Sequence, residues 1–202
     1  VLRERAAMSP NIEALVEADI EGVIRRRWTY AQLLSDSEAL ARALLSRYRP
    51  GERIAVWAPN IPEWVIIEFA AAFAGLTLVT ANPANKAREL KYVLEQSRSV
   101  GLFIVREYRG NPMAEIAAEV ARQTPAIREV VDLDDRDALF AGHDRPVTYP
   151  DVKPDDAAQV QYTSGTTGFP KGAVLHHRGL TNNARMVFAR RGAAEGEALL
   201  NF

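Results

Sequence analysis

Cysteine is absent from the 202-residue sequence, which excludes disulfide bonds, thiolate nucleophiles and cysteine-ligated zinc. Histidine is scarce: the three present are His143, His176 and His177, too few and too unevenly spaced for an all-histidine metal site. The sequence therefore leaves the ligands of any metal unknown. A chain without cysteine fits a cytoplasmic protein, and no apolar signal core follows its charged first residues, so we expect a cytoplasmic location.

A strong excess of charge is also missing, since 25 Lys and Arg residues balance 26 Asp and Glu residues. The densest basic cluster, Arg25-Arg26-Arg27, is interpreted as an exposed strand or turn. Because nucleic-acid binding requires a basic stripe, we predict no nucleic-acid partner. The most apolar stretch, 64–79, contains Glu68 and is interrupted by Gly75, so it predicts a helix followed by a strand and no transmembrane segment.

Helical and strand patterns alternate along the chain. Thr29 and Gln32 form a predicted capping box for the first helix, which Pro50 stops. Further helices are predicted over 62–75, 87–96, 112–122 and from Leu180 onward, with strands over 53–57, 76–80, 100–105, 127–133, 159–162 and 172–175. Alternation with short connections predicts an α/β fold with a mostly parallel sheet covered by helices on both faces.

One stretch departs from this alternation. The segment 134–157 is polar, contains Pro146, Pro150 and Pro154 and lacks a clear period, which predicts a long surface connection. The domain scheme is then sheet units over 1–133, the connection over 134–157, and a loop hairpin with its following helix over 158–202.

Hydroxyl, glycine and lysine residues are concentrated between the last two predicted strands. Glycines let a backbone approach a ligand closely, and successive N–H groups can form an anion-binding nest. Hydroxyl groups can donate to phosphate oxygens, and a lysine adds a mobile positive charge. The residues that we expect to hold phosphate are Thr163, Ser164, Gly165, Thr166, Thr167, Gly168 and Lys171, and Gly172 belongs to the same run.

The flanks of the lysine distinguish this loop from a Walker A loop. Walker A needs Gly-Lys followed by Ser or Thr at the start of a helix, whereas here Pro170 precedes Lys171 and Gly172 follows it, at the start of a predicted strand. The sequence therefore disfavours a P-loop phosphotransferase. It predicts a loop that bridges two strands, with a plain solvated turn and an exposed lysine as the alternatives.

The run 162–172 reads Tyr-Thr-Ser-Gly-Thr-Thr-Gly-Phe-Pro-Lys-Gly and resembles the signature loop of the adenylate-forming (AMP-binding, acyl-activating enzyme) superfamily. Similar residues extend through Trp28-Thr29-Tyr30, the run 59–64 and Asn82-Pro83. The run 172–177 is most similar to that of fatty-acyl or medium-chain acyl-CoA synthetases. The resemblance covers nearly the whole chain and implies the N-terminal lobe of such an enzyme.

The resemblance implies a reaction in two steps. A small-molecule carboxylate attacks the α-phosphate of ATP, giving an acyl-adenylate and pyrophosphate, and the thiol of coenzyme A then displaces AMP. The implied cofactors are ATP and Mg²⁺, with coenzyme A as co-substrate and the seven loop residues as phosphate ligands. The alternatives are an adenylation domain of the peptide-synthetase type, with a carrier-protein thiol as acceptor, and a non-catalytic nucleotide-binding paralogue.

The resemblance also implies that part of the enzyme lies outside this chain. Superfamily members carry a Tyr-Gly-x-Thr-Glu motif for adenine and Mg²⁺, an Asp for the ribose and a C-terminal lysine for adenylation, and these motifs are expected beyond Phe202. We therefore expect an incomplete AMP-binding domain, without a catalytic residue of its own, that binds ATP but does not turn it over. Surfaces left uncovered would either meet the rest of the enzyme or cause self-association.

Other conspicuous residues are interpreted structurally. One of His176 and His177 is expected to pack on the sheet, and the other to face solvent or cap the next helix. The pair Asp155-Asp156 is interpreted as a solvated turn and not as a metal site. The tryptophans are interpreted as core packing and helix anchors, and these are Trp28, Trp57 and Trp64.

Overall fold

The computed structural model describes residues 1–163, 170–192, 194 and 196–197. The helices are α1 Leu2–Met8, α2 Tyr30–Leu45, α3 Pro62–Ala74, α4 Ala87–Ser97, α5 Met113–Gln123, α6 Arg136–Leu139 and α7 His177–Arg191. The strands are β1 Glu13–Ala18, β2 Ile24–Thr29, β3 Arg53–Trp57, β4 Thr77–Ala81, β5 Gly101–Ile104, β6 Glu129–Asp132, β7 Ala157–Thr163 and β8 Lys171–His176. Among the described residues, no helix is both long and apolar enough to cross a lipid bilayer.

Within the described residues, six strands form one sheet in the order β6-β5-β3-β4-β7-β8, in which only the β7–β8 pair is antiparallel. The predicted mostly parallel α/β sheet is therefore confirmed. The chain moves from β3 to β4 and then back across β3 to β5. Because parallel crossovers are right-handed, this reversal places α3 and α4 on opposite faces, where α3 packs with α2 and α4 packs with α5.

The centre of the sheet is dry because β3 lies between two parallel neighbours with helices on both faces. Four consecutive side chains of β3, from Ile54 to Trp57, have no solvent exposure, which matches the apolar run typical of a fully covered strand. The indole Nε1 of Trp57 donates to the backbone oxygen of Asn82 at 2.8 Å. This bond ties the end of β3 to the loop that follows β4.

Local signals set the start of α2 and the end of α3 as predicted, whereas α2 ends at Leu45, five residues before the predicted stop at Pro50. Thr29 Oγ1 accepts from Gln32 N at 3.3 Å, and Gln32 Oε1 accepts from Thr29 N at 2.9 Å, so the capping box of α2 is confirmed. Helix α3 ends at Gly75, whose φ of 66° is left-handed. A side chain there would also meet Pro150, because a Cβ would lie 2.9 Å from its Cγ. Gly75 therefore satisfies both a turn and a close packing contact.

The hairpin β1–β2 carries the basic cluster, which confirms its interpretation as an exposed strand. Its arginines face acidic partners on β1 and on α3. Arg26 Nε lies 2.6 Å from Glu17 Oε2, and Arg26 Nη1 lies 2.5 Å from Glu63 Oε1. Hydrogen bonds to Glu17 and then to Glu63 raise the pKa of Arg26. The cluster therefore fastens the hairpin to the start of α3.

The connection over 134–157 is held against the helices of one face. It contains α6, which the polar pattern did not indicate, and Leu139 and Phe140 are buried. Arg47 Nη2 donates to the Leu139 oxygen at 2.8 Å, and the Tyr149 hydroxyl donates to the Glu38 oxygen at 3.1 Å. These bonds fix the path of the chain from β6 at one edge of the sheet to β7 on the other side of β4.

Gly101 in β5 offers a test of this packing. An added Cβ would lie 2.7 Å from Cζ of buried Tyr48, whose hydroxyl donates to Glu129. We expect Gly101→Ala to lower the free energy of unfolding by about 1–3 kcal/mol because the ring must move. Urea unfolding followed by circular dichroism measures the change.

The double variant with Tyr48→Ala is the control for this cause. Once the ring is removed, Gly101→Ala should add little further destabilisation. An equal cost in both backgrounds would contradict a steric conflict with Tyr48.

Candidate functional site

A cleft of about 1160 Å³ opens at the carboxyl ends of β3, β4 and β7. Its walls include Asn60 and Trp64 after β3, Asn82 after β4, Tyr92 on α4 and Thr163 at the end of β7. The loop after β3 leads to one face of the sheet and the loop after β4 leads to the other. Ligands of open α/β sheets bind at such a reversal, so the topology indicates this cleft as the functional site.

The ends of the predicted phosphate loop lie at the margin of this cleft. Thr163 is the last residue of β7, Lys171 is the first of β8, and the two are paired in register. Thr163 Oγ1 lies 3.5 Å from the Lys171 backbone oxygen, and the Lys171 side chain is exposed. The prediction that the loop joins two strands, and does not open a helix, is therefore confirmed.

The remaining predicted phosphate ligands lie outside the described residues. They are Ser164, Gly165, Thr166, Thr167 and Gly168. The structure brings Thr163 and Lys171 together beside the cleft, and the binding roles of all seven residues stay predictions.

Gly172 also has a role in packing. It lies within β8, and its backbone is not left-handed. An added Cβ would lie 2.9 Å from Val160 Cγ1 and 3.2 Å from Tyr162 Cζ. The absence of a side chain lets β8 lie close to the Tyr162 ring, a packing role that the residue type did not indicate, and the expected part of this glycine in ligand approach stays a prediction.

Helix α4 contacts both stems of the loop, and sequence reasoning missed these contacts. The Tyr162 hydroxyl lies 2.5 Å from Gln96 Oε1 and 3.3 Å from the Val93 oxygen. The Tyr92 hydroxyl donates to the Pro170 oxygen at 3.1 Å. Burial raises the pKa of Tyr162, so its hydroxyl remains a donor. The available signal was the spacing of Tyr92 and Gln96, four residues apart on one helix face.

Asn111 stabilises the loop on another wall of the cleft. This buried amide donates to the backbone oxygens of Pro83 at 3.2 Å and Asn85 at 3.3 Å. Its Oδ1 accepts from Lys86 Nζ at 3.0 Å. One side chain from the turn after β5 therefore holds the loop after β4, which sequence reasoning also missed because the two loops are joined only in the folded sheet.

One of the two histidines at the junction of β8 and α7 has the expected role of a helix cap, and the expected packing of the other on the sheet stays a prediction. His176 caps α7, since its Nδ1 accepts from Gly179 N at 2.9 Å. His177 is half-buried, and burial lowers the pKa of its imidazole. Asp155 pairs with Arg178 at 2.8 Å, and Asp156 Oδ2 accepts from Lys153 N at 2.7 Å in the turn before β7.

The tryptophans divide between the core and the cleft. Trp28 and Trp57 are buried, which confirms their interpretation as core residues. Trp64 anchors α3 through a 3.3 Å bond from its Nε1 to the Ala58 oxygen, but its partly buried ring also lines the cleft. Its interpretation as a helix anchor is confirmed, and its place in the cleft wall is an addition to that interpretation.

Comparison with protein families assigns the chain over almost its full length. The model of the family described as AMP-binding enzyme matches residues 2–202. The acyl-CoA ligase SID4 of Ajellomyces capsulatus is 33% identical over 90% of this chain and 35% of the relative. The mitochondrial medium-chain acyl-CoA ligase ACSF2 of Bos taurus is 32% identical over 81% of this chain and 31% of the relative. The chain therefore spans about a third of the length of these curated relatives.

Solved structures show the same architecture. The N-terminal domain of FACL13 from Mycobacterium tuberculosis has a TM-score of 0.73 and 29% identity, covering 87% of this chain and 43% of that one. The o-succinylbenzoate CoA synthetase MenE of Bacillus subtilis, in complex with its acyl-adenylate intermediate, has a TM-score of 0.78 and 24% identity, covering 96% of this chain and 46% of that one. The second likeness supports the fold alone.

The role of Asn111 in the cleft wall can be tested by hydrogen exchange. We expect Asn111→Ala to speed amide exchange over 84–86, because the backbone oxygens of Pro83 and Asn85 lose their donor. Gln123→Ala is the control, since this exposed amide lies on α5 away from the loop. Equal exchange in the wild type and Asn111→Ala would contradict the assigned role.

Proposed function

The chain belongs to the AMP-binding enzyme family, and from that premise we propose that it is the N-terminal part of an AMP-forming acyl-CoA ligase. The proposed whole enzyme activates a carboxylic acid with ATP, releases pyrophosphate and transfers the acyl group from the adenylate to coenzyme A. We propose a fatty or medium-chain acid as substrate, because the similar ACSF2 proteins carry a medium-chain acyl-CoA ligase name. The activity belongs to the whole protein, of which this chain supplies the phosphate-loop hairpin.

The observation that carries the proposal is the pairing of Thr163 with Lys171 at the edge of the cleft. Attack on the α-phosphate moves negative charge onto the departing pyrophosphate. A cationic side chain and hydroxyl donors placed before the reaction lower the free energy of that charge. Lys171 would supply the positive charge, and Thr163 would supply a hydroxyl donor from the opposite stem.

Magnesium enters the proposal together with the nucleotide. Within the described residues, no group of three or more His, Asp or Glu side chains could hold a metal ion. Donors such as the Thr163 hydroxyl fit phosphate oxygens better than a resident cation. In the proposed whole enzyme, Mg²⁺ would neutralise charge on the ATP phosphates with protein ligands expected beyond Phe202, while Thr163 and Lys171 would orient the phosphates.

The comparisons favour the ligase over the alternatives, because the relatives named above are acyl-CoA ligases and none bears the name of a peptide synthetase or a binding paralogue. The cytoplasmic location remains a prediction. The similar ACSF2 proteins carry a mitochondrial name, so fractionation of the source cells decides between the two compartments.

Lys171 provides the direct test of the proposed chemistry. In the full-length protein, we expect Lys171→Ala to lower carboxylate-dependent ATP–pyrophosphate exchange by about 100- to 1000-fold, the usual effect of removing one charge-stabilising donor. Lys153→Ala is the matched control, because Lys153 lies in the exposed turn before β7. A panel of acids of increasing chain length identifies the substrate.

Two results would contradict the proposal. One is exchange in Lys171→Ala equal to that of the control. The other is release of orthophosphate in place of pyrophosphate by the wild-type protein, which would indicate phosphoryl transfer.

Exposed apolar side chains on β8 and α7 lead to a second test. Val174 on β8 and Met186, Val187 and Phe188 on α7 are between 40% and 65% exposed. We expect the 202-residue chain alone to bind ATP without exchange and to self-associate through these side chains. Size-exclusion chromatography should detect the association, and Phe188→Glu should weaken it.

The contrary outcomes are equally measurable. A monomeric fragment would contradict the expected self-association. An associated fragment unaffected by Phe188→Glu would show that Phe188 does not contribute to the association. Exchange activity in the fragment would show that the chain carries the whole catalytic apparatus.

A further inference from the structure

Helix α4 makes hydrogen bonds to the two stems that flank the predicted phosphate loop. The Tyr162 hydroxyl, one residue before Thr163, reaches Gln96 Oε1 at 2.5 Å. The Pro170 oxygen, one residue before Lys171, accepts from the Tyr92 hydroxyl at 3.1 Å. Tyr92 and Gln96 are four residues apart, so one face of α4 bonds to both stems.

The helix that makes these bonds is itself firmly held. Leu90, Val93 and Leu94 are almost completely buried against the sheet. The first turn is closed by a 2.8 Å bond from Lys86 N to Glu89 Oε2. Tyr92 and Gln96 therefore extend from a helix whose own position relative to the sheet is fixed, as a positioning element requires.

The strand that begins with Lys171 has less support of its own. β8 is the edge strand of the sheet, with β7 as its only strand partner among the described residues. The antiparallel pairing of β8 with β7 fixes Lys171 relative to Thr163. It holds β8 to the rest of the sheet along one edge of the strand. The Tyr92–Pro170 bond is a second attachment, and it acts on the residue next to the lysine.

Gly172 makes the arrangement on the other stem possible. A Cβ at this position would lie 3.2 Å from Tyr162 Cζ and 3.4 Å from Gln96 Oε1. A side chain there would therefore crowd both members of the Tyr162–Gln96 bond. The bare backbone of β8 leaves space for this bond beside the stem.

We infer that Tyr92 and Gln96 are positioning residues that hold Lys171 and Thr163 where they meet the phosphates of ATP. The inference rests on the proposed function and adds to it a group outside the signature loop. Neither side chain needs to touch the nucleotide. Each acts through a stem of the hairpin, so the loss of either should weaken the interaction of Lys171 with the phosphates and leave the carboxylate site unchanged.

The test uses ATP–pyrophosphate exchange by the full-length protein. We expect Tyr92→Phe to raise the KM for ATP by about 2- to 10-fold, the effect of losing one hydrogen bond, with the KM for the carboxylate unchanged. Gln96→Leu should act in the same direction. Tyr149→Phe is the matched control, because it removes a similar 3.1 Å bond to a backbone oxygen, that of Glu38, far from the cleft.

A double-variant cycle separates positioning from general stability. If Tyr92 acts by placing Lys171, Tyr92→Phe should have little further effect on the KM for ATP when Lys171→Ala is already present. The same fold-change in both backgrounds would overturn the inference. So would a Tyr92→Phe protein that matches Tyr149→Phe in its KM for ATP, or one whose KM values for ATP and carboxylate rise together.

Failure of the inference and failure of the proposed function are distinguishable. If the wild type shows no carboxylate-dependent exchange, or Lys171→Ala has no effect, the proposed function fails. If exchange occurs and depends on Lys171 while Tyr92→Phe behaves as the Tyr149→Phe control, only the role of α4 is wrong.

Discussion

The candidate site depends on one antiparallel pairing at the end of an otherwise parallel sheet. A parallel strand would have carried the chain away from the cleft through a crossover, whereas the β7–β8 hairpin returns it at once. The register sets Thr163 opposite Lys171, so a hydroxyl and a cationic side chain start from neighbouring backbone positions. The anion site that we propose here would rely on strand pairing and side-chain chemistry, in contrast to sites that use the dipole at the start of a helix.

Much of the fold could be predicted because its signals are local. The capping box of Thr29 and Gln32, the glycine end of α3 and the apolar run of β3 each involve residues close together in the chain. The hairpin β1–β2 was harder to predict because its arginines find partners on another strand and on α3. Helix α6 was missed because two buried side chains hold a segment that is otherwise polar.

The placement of the candidate loop between two strands was predictable, whereas the contacts that support the loop were less so. The hydroxyl, glycine and lysine residues of the loop predicted phosphate binding. The neighbours of Lys171, Pro170 and Gly172, predicted that the loop joins two strands. The contributions of Tyr92 and Asn111 have no such signature, because each depends on which loops and helices the sheet brings together. Gly172 is a further example. A glycine indicates that a side chain is not tolerated, but only the folded structure identifies Tyr162 as a neighbour that a side chain would meet.

The long connection also has a consequence for how the protein folds. Strand β7 pairs with β4, and the Thr80 hydroxyl is 3.5 Å from the backbone oxygen of Val160, 80 positions later in the chain. Contacts between residues so far apart in the sequence form slowly, because the intervening chain loses conformational entropy before the contact stabilises the fold. During synthesis, β3 and β4 can pair well before β7 is made, so the hairpin that carries the ligand chemistry adds late to an existing sheet.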